Sequence, residues 1–179
     1  MTTLKHCKFW LRMFAVATVM GAALAGCGAM RDAGTRDKVL REEMTKFTYI
    51  APIEKVWPEA KAMFAQKGLD VTEDREEKAA GAFLFTTQWQ IAKRSSSMQS
   101  GLQVRERFVV RGTKLDGGSK IEITGNIQRT HGLEGAWGNP TSHRDVHTEL
   151  ELVKRVEPGR AAEISAKAAA AGQKARQAE

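Results

Sequence analysis

Apolar and polar residues alternate through the middle of the chain, and this pattern predicts a β-sheet. Residues 83–91, 102–110 and 121–127 carry apolar side chains mostly at every second position, and residues 69–74 show a shorter run of the same kind. A period of two places alternate side chains on the same face of a strand. Four consecutive strands with one apolar face each predict an antiparallel sheet that is packed on one side and exposed to solvent on the other.

The segments between these strands carry turn signals. A charged turn is expected at 75–78, and Asp116-Gly117 predicts a tight hairpin before the last strand. The serine-rich segment 93–101 is predicted to connect two strands, and a further strand is expected at 47–50. For the strand at 83–91, the predicted packed face consists of Phe83, Phe85, Thr87, Trp89 and Ile91.

Helical spacing replaces the alternation on either side of the sheet segments. Residues 53–67 have apolar positions at i, i+3, i+4 and i+7, and Gly68 supplies the C-terminal signal of a helix. Residues 36–47 suggest a short helical lead-in. Residues 143–156 fit a helix or a strand, of which we favour the helix, and the alanine-rich segment 160–176 predicts a surface helix. The expected fold is therefore α+β, with an antiparallel meander sheet of about five strands packed on one face by helices.

The N-terminus has the pattern of an export signal. Three basic residues, Lys5, Lys8 and Arg12, precede an apolar run that is too short to span a bilayer. This run ends in Leu24-Ala25-Gly26-Cys27, which resembles the lipobox of bacterial lipoproteins. The resemblance implies that residues 1–26 are removed and that Cys27 becomes the first residue of the mature protein, carrying acyl chains such as palmitate.

The lipobox also implies a location and a division of the chain. Gly28 follows the cysteine where lipoproteins retained in the inner membrane typically carry Asp, which favours the periplasmic face of the outer membrane. Two or three acyl chains hold a protein firmly to a bilayer. After the signal, we expect a lipid anchor and short tether at 27–46, an α+β domain at 47–156 and a C-terminal alanine-rich helix or tail at 157–179. The covalent lipid on Cys27 is the only cofactor expected.

Charge and cysteine content agree with an exported protein that is not built for nucleic acid. The formal charge of +7 falls to +4 when Lys5, Lys8 and Arg12 leave with the signal. No basic run is interleaved with aromatic residues, so nucleic acid is not an expected partner. Cys7 lies in the signal and Cys27 would be blocked by lipid, so neither a disulfide nor a free thiol is expected in the mature protein.

The order of elements resembles a helix-grip sheet of the BamC type. The resemblance covers residues 47–129 and is carried by Tyr49, Val56-Trp57, Gly68-Leu69-Asp70-Val71, Gly81 and Phe85-Thr86-Thr87-Gln88-Trp89. BamC-type lipoproteins are accessory subunits of the complex that inserts β-barrel proteins into the outer membrane. They have a long unstructured N-terminal segment and two such domains, whereas this chain shows a short tether and one. The resemblance therefore implies a related fold and an accessory role in envelope assembly, with an envelope protein as partner.

Candidate catalytic groups have simpler structural explanations. His143 and His147 would share a helix face, but the residues between them are Arg-Asp-Val and supply no catalytic glutamate, so we expect a solvated pair and no metal site. The serines of the 93–101 connection, Ser95, Ser96, Ser97 and Ser100, lack a nucleophile elbow. We interpret the acidic residues of this region as a charged turn, namely Glu73, Asp74, Glu76 and Glu77. No enzymatic activity is expected.

Two surface features indicate binding instead. Arg105, Arg107 and Arg111 alternate with the packed face of one strand and would form a basic stripe toward acidic protein or lipid. Trp137 lies in a glycine-rich loop at 130–142, where an exposed ring would suit docking and a buried ring would plug the end of the sheet. We expect a non-enzymatic accessory or scaffold in the envelope. The alternative is a module that holds a lipid or small apolar ligand between sheet and helix.

Overall fold

The computed structural model describes residues 30–91, 102–131 and 136–178. The first helix, α1, covers residues 30–46, and α2 covers Ile53–Gln66. The strands are β1 (Val71–Glu77), β2 (Ala82–Thr87), β3 (Gln90–Ile91), β4 (Leu102–Leu115), β5 (Gly118–His131) and β6 (Thr141–Arg144). Two helices follow, α3 (Val146–Val156) and α4 (Pro158–Gln177). The described residues form two compact units, one of residues 30–43 with 163–178 and one of residues 44–162.

The larger unit is built on an antiparallel sheet with the strand order β1-β2-β4-β5-β6. β4 and β5 have 14 residues each and pair along their full length, joined by a turn in which Gly117 has φ +82°. The predicted α+β class, meander and hairpin are therefore confirmed. Strand β6 adds an edge that the alternation did not predict, because its four residues are polar and exposed or half-buried.

One face of the sheet, here the inner face, packs against α2 and α3. The apolar stripe of α2 is fully buried. The ring centres of its Trp57 and Phe64 lie 5.0 and 5.6 Å from the ring centre of Phe85 on β2. Gly112 on β4 leaves room for this contact, since a Cβ there would lie 3.0 Å from the Trp57 ring. Burial of these large side chains, at about 25 cal/mol per Å² of apolar surface, is the main source of stability.

The helix prediction for 53–67 is confirmed, and helix is correct for residues 146–156. The expected strand at 47–50 is wrong, because only Tyr49 pairs with a strand, through a single bridge to Ser119. The Glu157 carboxylate accepts the N–H groups of Ile50 and Ala51 at 2.7 and 3.0 Å, so a side chain replaces the strand partner. A side-chain acceptor from a distant segment thus takes backbone donors that a strand partner would otherwise bind.

Two further predictions need correction. The charged turn expected at 75–78 belongs to strand β1, which continues to Glu77 because its inward-facing acids are bound by α2: Lys61 contacts Asp74 at 2.6 Å and Glu76 at 2.9 Å. Residues 30–46 of the tether expected at 27–46 are helical, since α1 begins before the helical lead-in expected at 36–47. The exposed charged side chains of β1, an edge strand of the sheet, also discourage pairing with a second sheet.

The smaller unit consists of two helical segments. Arg36 and Asp32 form an ion pair along α1, and Lys167 of α4 donates a hydrogen bond to Glu43 of α1. Gly172 of α4 lies so close to α1 that a Cβ there would meet the Asp32 carboxylate at 1.9 Å. The alanine and glycine content of α4 therefore permits close helix packing. In the described ranges, no helix combines the length and apolar character that a membrane crossing requires.

Candidate functional site

The basic stripe lies on the outer face of the sheet, opposite the face that packs on α2. The register of β4 and β5 pairs Arg105 with Gln128, Arg107 with Asn126 and Arg111 with Glu122. Directly paired residues of antiparallel strands point to the same side, so these six side chains share one face. The structure thus places the three arginines where the alternation of β4 predicted them.

A bulge between β2 and β3 moves Trp89 and Ile91 to this outer face as well. Thr86 pairs with Val109, but Gln90 pairs with Glu106, so one extra residue has entered the strand. The Thr87 hydroxyl accepts the N–H of Phe108 at 2.9 Å and bridges the interruption in the ladder. A one-residue shift exchanges the two faces. The prediction that Trp89 and Ile91 share the packed face with Phe83 is therefore wrong.

Two tryptophans and two arginines meet on this face, and we call Trp89, Arg105, Arg107 and Trp137 the arginine–tryptophan cluster. The guanidinium carbon of Arg105 lies 4.2 Å from the centre of the Trp137 ring and 4.8 Å from that of Trp89. That of Arg107 lies 4.7 Å from the Trp89 ring. All four residues are half-buried. Each such cation–π contact stabilises by about 0.5–1 kcal/mol at exposed sites.

Gln128 forms hydrogen bonds both to the cluster and to the backbone beside Trp137. Its side-chain oxygen accepts the Nε–H of Arg105 at 2.9 Å, and its amide donates to the carbonyl of Gly138 at 3.0 Å. The Gly138 N–H donates in turn to the carbonyl of Arg129 at 3.0 Å. Because of these bonds, Trp137 is neither fully exposed nor a plug at the end of the sheet: it lies on the outer face against Arg105.

The cluster carries positive charge with no described carboxylate bound to it. Among the described residues, neither Arg105 nor Arg107 forms an ion pair, and the buried Nε of Arg107 has no hydrogen-bond acceptor. Arg111 is exposed and lies further along β4, outside the stack. It faces Glu122, whose pKa is lowered by the Lys120 hydrogen bond and, to a smaller extent, by Arg144 and Arg111.

The histidine pair does not form as predicted. His143 lies on β6 and His147 on α3, because Asp145 caps the helix by accepting the N–H of Thr148 at 3.0 Å. His143 points to the inner face beside Glu106, where burial raises the pKa of the glutamate and His143 opposes the rise. No group of three potential metal ligands occurs in the described part of the chain.

Two other predicted features lie outside the described residues, namely Cys27 with its lipobox and the serines at 95–97 and 100. The residue that sequence reasoning missed is Trp89. Its apolar side chain fits the inward alternation equally well, so nothing in the pattern marks the bulge. Comparison of the chain with protein-family models, curated proteins and solved structures found no match in any of the three.

Proposed function

We propose that this chain is a lipoprotein anchored through Cys27 at the periplasmic face of the outer membrane, where it serves as a non-enzymatic accessory or scaffold in envelope assembly. The observation that carries the proposal is the lipobox Leu24-Ala25-Gly26-Cys27 behind a basic start and a short apolar run. It specifies a chemical modification residue by residue. Envelope assembly as the process rests on the resemblance to BamC-type lipoproteins.

The fold supports an accessory role in two respects. A meander sheet with helices α2 and α3 on one face is the arrangement that the BamC-type resemblance requires. The opposite face presents the arginine–tryptophan cluster, and Arg and Trp are enriched among the residues that dominate binding at interfaces. A binding surface on a rigid sheet suits a scaffold.

The alternative function, a module holding a lipid or small apolar ligand between sheet and helix, requires space in the interior. Aromatic rings occupy that region: Trp57 lies 5.0 Å from Phe85, and Phe64 lies 5.6 Å from Phe85 and 5.2 Å from Phe108, measured between ring centres. These are the separations of packed aromatic pairs. We therefore favour the scaffold over the ligand carrier.

Affinity purification under mild detergent tests the proposed role. The wild-type chain, tagged at its C-terminus, is expected to retain outer-membrane assembly proteins reproducibly, and Cys27→Ala is expected to lose both the membrane fraction and these partners. Cys7→Ala is the matched control, because this cysteine leaves with the signal and its loss should change neither result. A lipidated wild-type protein that retains no envelope protein would contradict the role.

A further inference from the structure

The arginine–tryptophan cluster holds hydrogen-bond donors that the described protein does not use. The Nε–H of Arg105 is bound by Gln128, but its terminal N–H groups have no acceptor among the described residues. Arg107 has no acceptor there for any of its N–H groups, and its Nε is buried. A guanidinium carries five N–H donors and stays charged, so a nearby anion would satisfy a real deficit.

Contacts with Trp89 hold the charges of Arg105 and Arg107 close enough together to face one ligand surface. The guanidinium carbons of Arg105 and Arg107 lie 4.8 and 4.7 Å from the centre of the same Trp89 ring, so they are no more than 9.5 Å apart. These contacts with indole rings restrain both guanidiniums before a ligand arrives. A preorganised donor pair loses less side-chain entropy on binding than two free arginines.

The surroundings of the cluster match the interface of a lipid bilayer. Ile91, which is 65% exposed, pairs directly with Arg105 on the outer face and adds an apolar contact. Tryptophan is enriched at the level of lipid headgroups, and basic residues such as Arg105 and Arg107 are attracted to an anionic leaflet.

We propose that the arginine–tryptophan cluster binds the anionic headgroups of phospholipids in the membrane that carries the anchor, so that the outer face of the sheet lies against the bilayer. This inference rests on the proposed lipid anchor, which keeps the domain close to headgroups and raises their effective concentration. An acidic segment of a protein would offer the same charge. The anchor and the exposed Ile91 favour lipid.

Tryptophan quenching in reconstituted vesicles tests the inference on the mature lipoprotein. Trp57 is 3% exposed and serves as an internal reference, whereas Trp89 and Trp137 should be quenched by lipids that carry a spin label at the headgroup. We expect quenching in vesicles containing phosphatidylglycerol, loss of this quenching in pure phosphatidylcholine vesicles, and reversal by high salt in the wild-type protein. The salt measurement requires no variant and is independent of folding defects.

Charge-matched variants assign the effect to the cluster. The double variant Arg105→Gln with Arg107→Gln should lower the ratio of docked to undocked domain by roughly 25-fold, since each arginine near an anionic surface contributes about fivefold. The control variant Lys154→Gln with Arg155→Gln removes the same charge from exposed positions of α3 and should leave quenching unchanged. Thermal unfolding of each variant reports whether the domain remains folded.

Three results would overturn the inference. Quenching that is absent, or equal in both vesicle types, would contradict it while leaving the anchor intact. A response of the tryptophans to soluble polyglutamate but not to phosphatidylglycerol would assign the cluster to an acidic protein segment. Failure of the protein to remain on any vesicle would contradict the lipid anchor itself, and the proposed function would then fail together with this inference.

Discussion

The carboxylate of Glu149 on α3 accepts the backbone N–H of Ile123 on β5 at 2.9 Å. Strand β6 ends at Arg144. The next residue, Asp145, still donates its N–H to the Ile123 carbonyl at 2.8 Å, but its own carbonyl accepts the N–H of Glu149 at 3.0 Å and so does not bind the Ile123 N–H. The same carboxylate, 1% exposed, accepts two hydrogen bonds from the Arg144 guanidinium at 2.8 and 3.0 Å. A helix side chain therefore completes the hydrogen-bond ladder of the sheet and fixes α3 against it.

Removal of this carboxylate should destabilise the protein strongly. Glu149→Leu leaves the Ile123 N–H without an acceptor and Arg144 without its partner, and we expect a loss of about 3 kcal/mol in the free energy of unfolding. Glu149→Gln keeps an acceptor oxygen for Ile123 and should lose roughly half as much. Urea unfolding followed by circular dichroism measures both. Equal losses in the two variants would show that the Ile123 hydrogen bond contributes nothing.

The stability contributed by Glu149 should depend on pH. Burial raises the pKa of Glu149 above its usual value of 4.5, and the bonds from Arg144 and Ile123 offset part of this rise. The folded state therefore binds the proton more tightly than the unfolded state, so the contribution is full below pH 4.5 and falls as pH rises through the raised pKa. Unfolding curves of the wild type and of Glu149→Gln, recorded at pH values from below 4.5 to neutral, measure this pH dependence. A wild-type advantage that grows with pH would contradict the assigned direction.

Substitution of Gly112 tests how closely Trp57 packs against the sheet. Gly112→Ala places a Cβ 3.0 Å from the Trp57 ring and 3.1 Å from Ile53, and overpacking of this kind costs about 1–3 kcal/mol. Gly159→Ala is the control, because no atom lies within 4 Å of its Cβ and the residue is helical. We expect its stability to be unchanged or raised by about 0.5–1 kcal/mol. Comparable losses in both variants would argue against a tight Trp57 contact.

Arg107 should contribute little to stability, in keeping with a role in binding. Its buried Nε has no acceptor in the described structure, and its contact with Trp89 offsets only part of that cost. We expect Arg107→Met to leave the free energy of unfolding unchanged or to raise it by up to about 1 kcal/mol. Chemical denaturation checks this value. A loss above about 2 kcal/mol would indicate a structural role for the arginine instead.

The fold was predictable from sequence where one period extends over a long segment. The α2 stripe and the β4–β5 hairpin are of this kind, and each places its apolar side chains as the spacing requires. Predictions failed where a side-chain hydrogen bond to the backbone overrides the pattern. Glu157 takes the donors of the expected strand at 47–50, and Asp145 caps α3 so that His143 belongs to a strand.

The candidate site was half predictable. Alternation along β4 predicts the outward position of Arg105 and Arg107, and the length of the glycine-rich loop at 130–142 indicates Trp137 as a candidate binding residue. Trp89 was placed on the wrong face because a bulge changes the register by one residue without changing the apolar pattern. The stack around Arg105 depends on contacts between distant segments, which spacing alone does not report.

The mass of the mature N-terminus tests the central claim, lipidation of Cys27, most directly. Protein purified from membranes should yield an N-terminal peptide that begins at Cys27 and carries a diacylglyceryl group on its sulfur, whereas Cys27→Ala should yield no lipidated peptide. Cleavage at another bond, or a peptide beginning at Cys27 with a free thiol, would contradict the account. The predicted result is a lipid-modified Cys27 as the first residue of the mature protein.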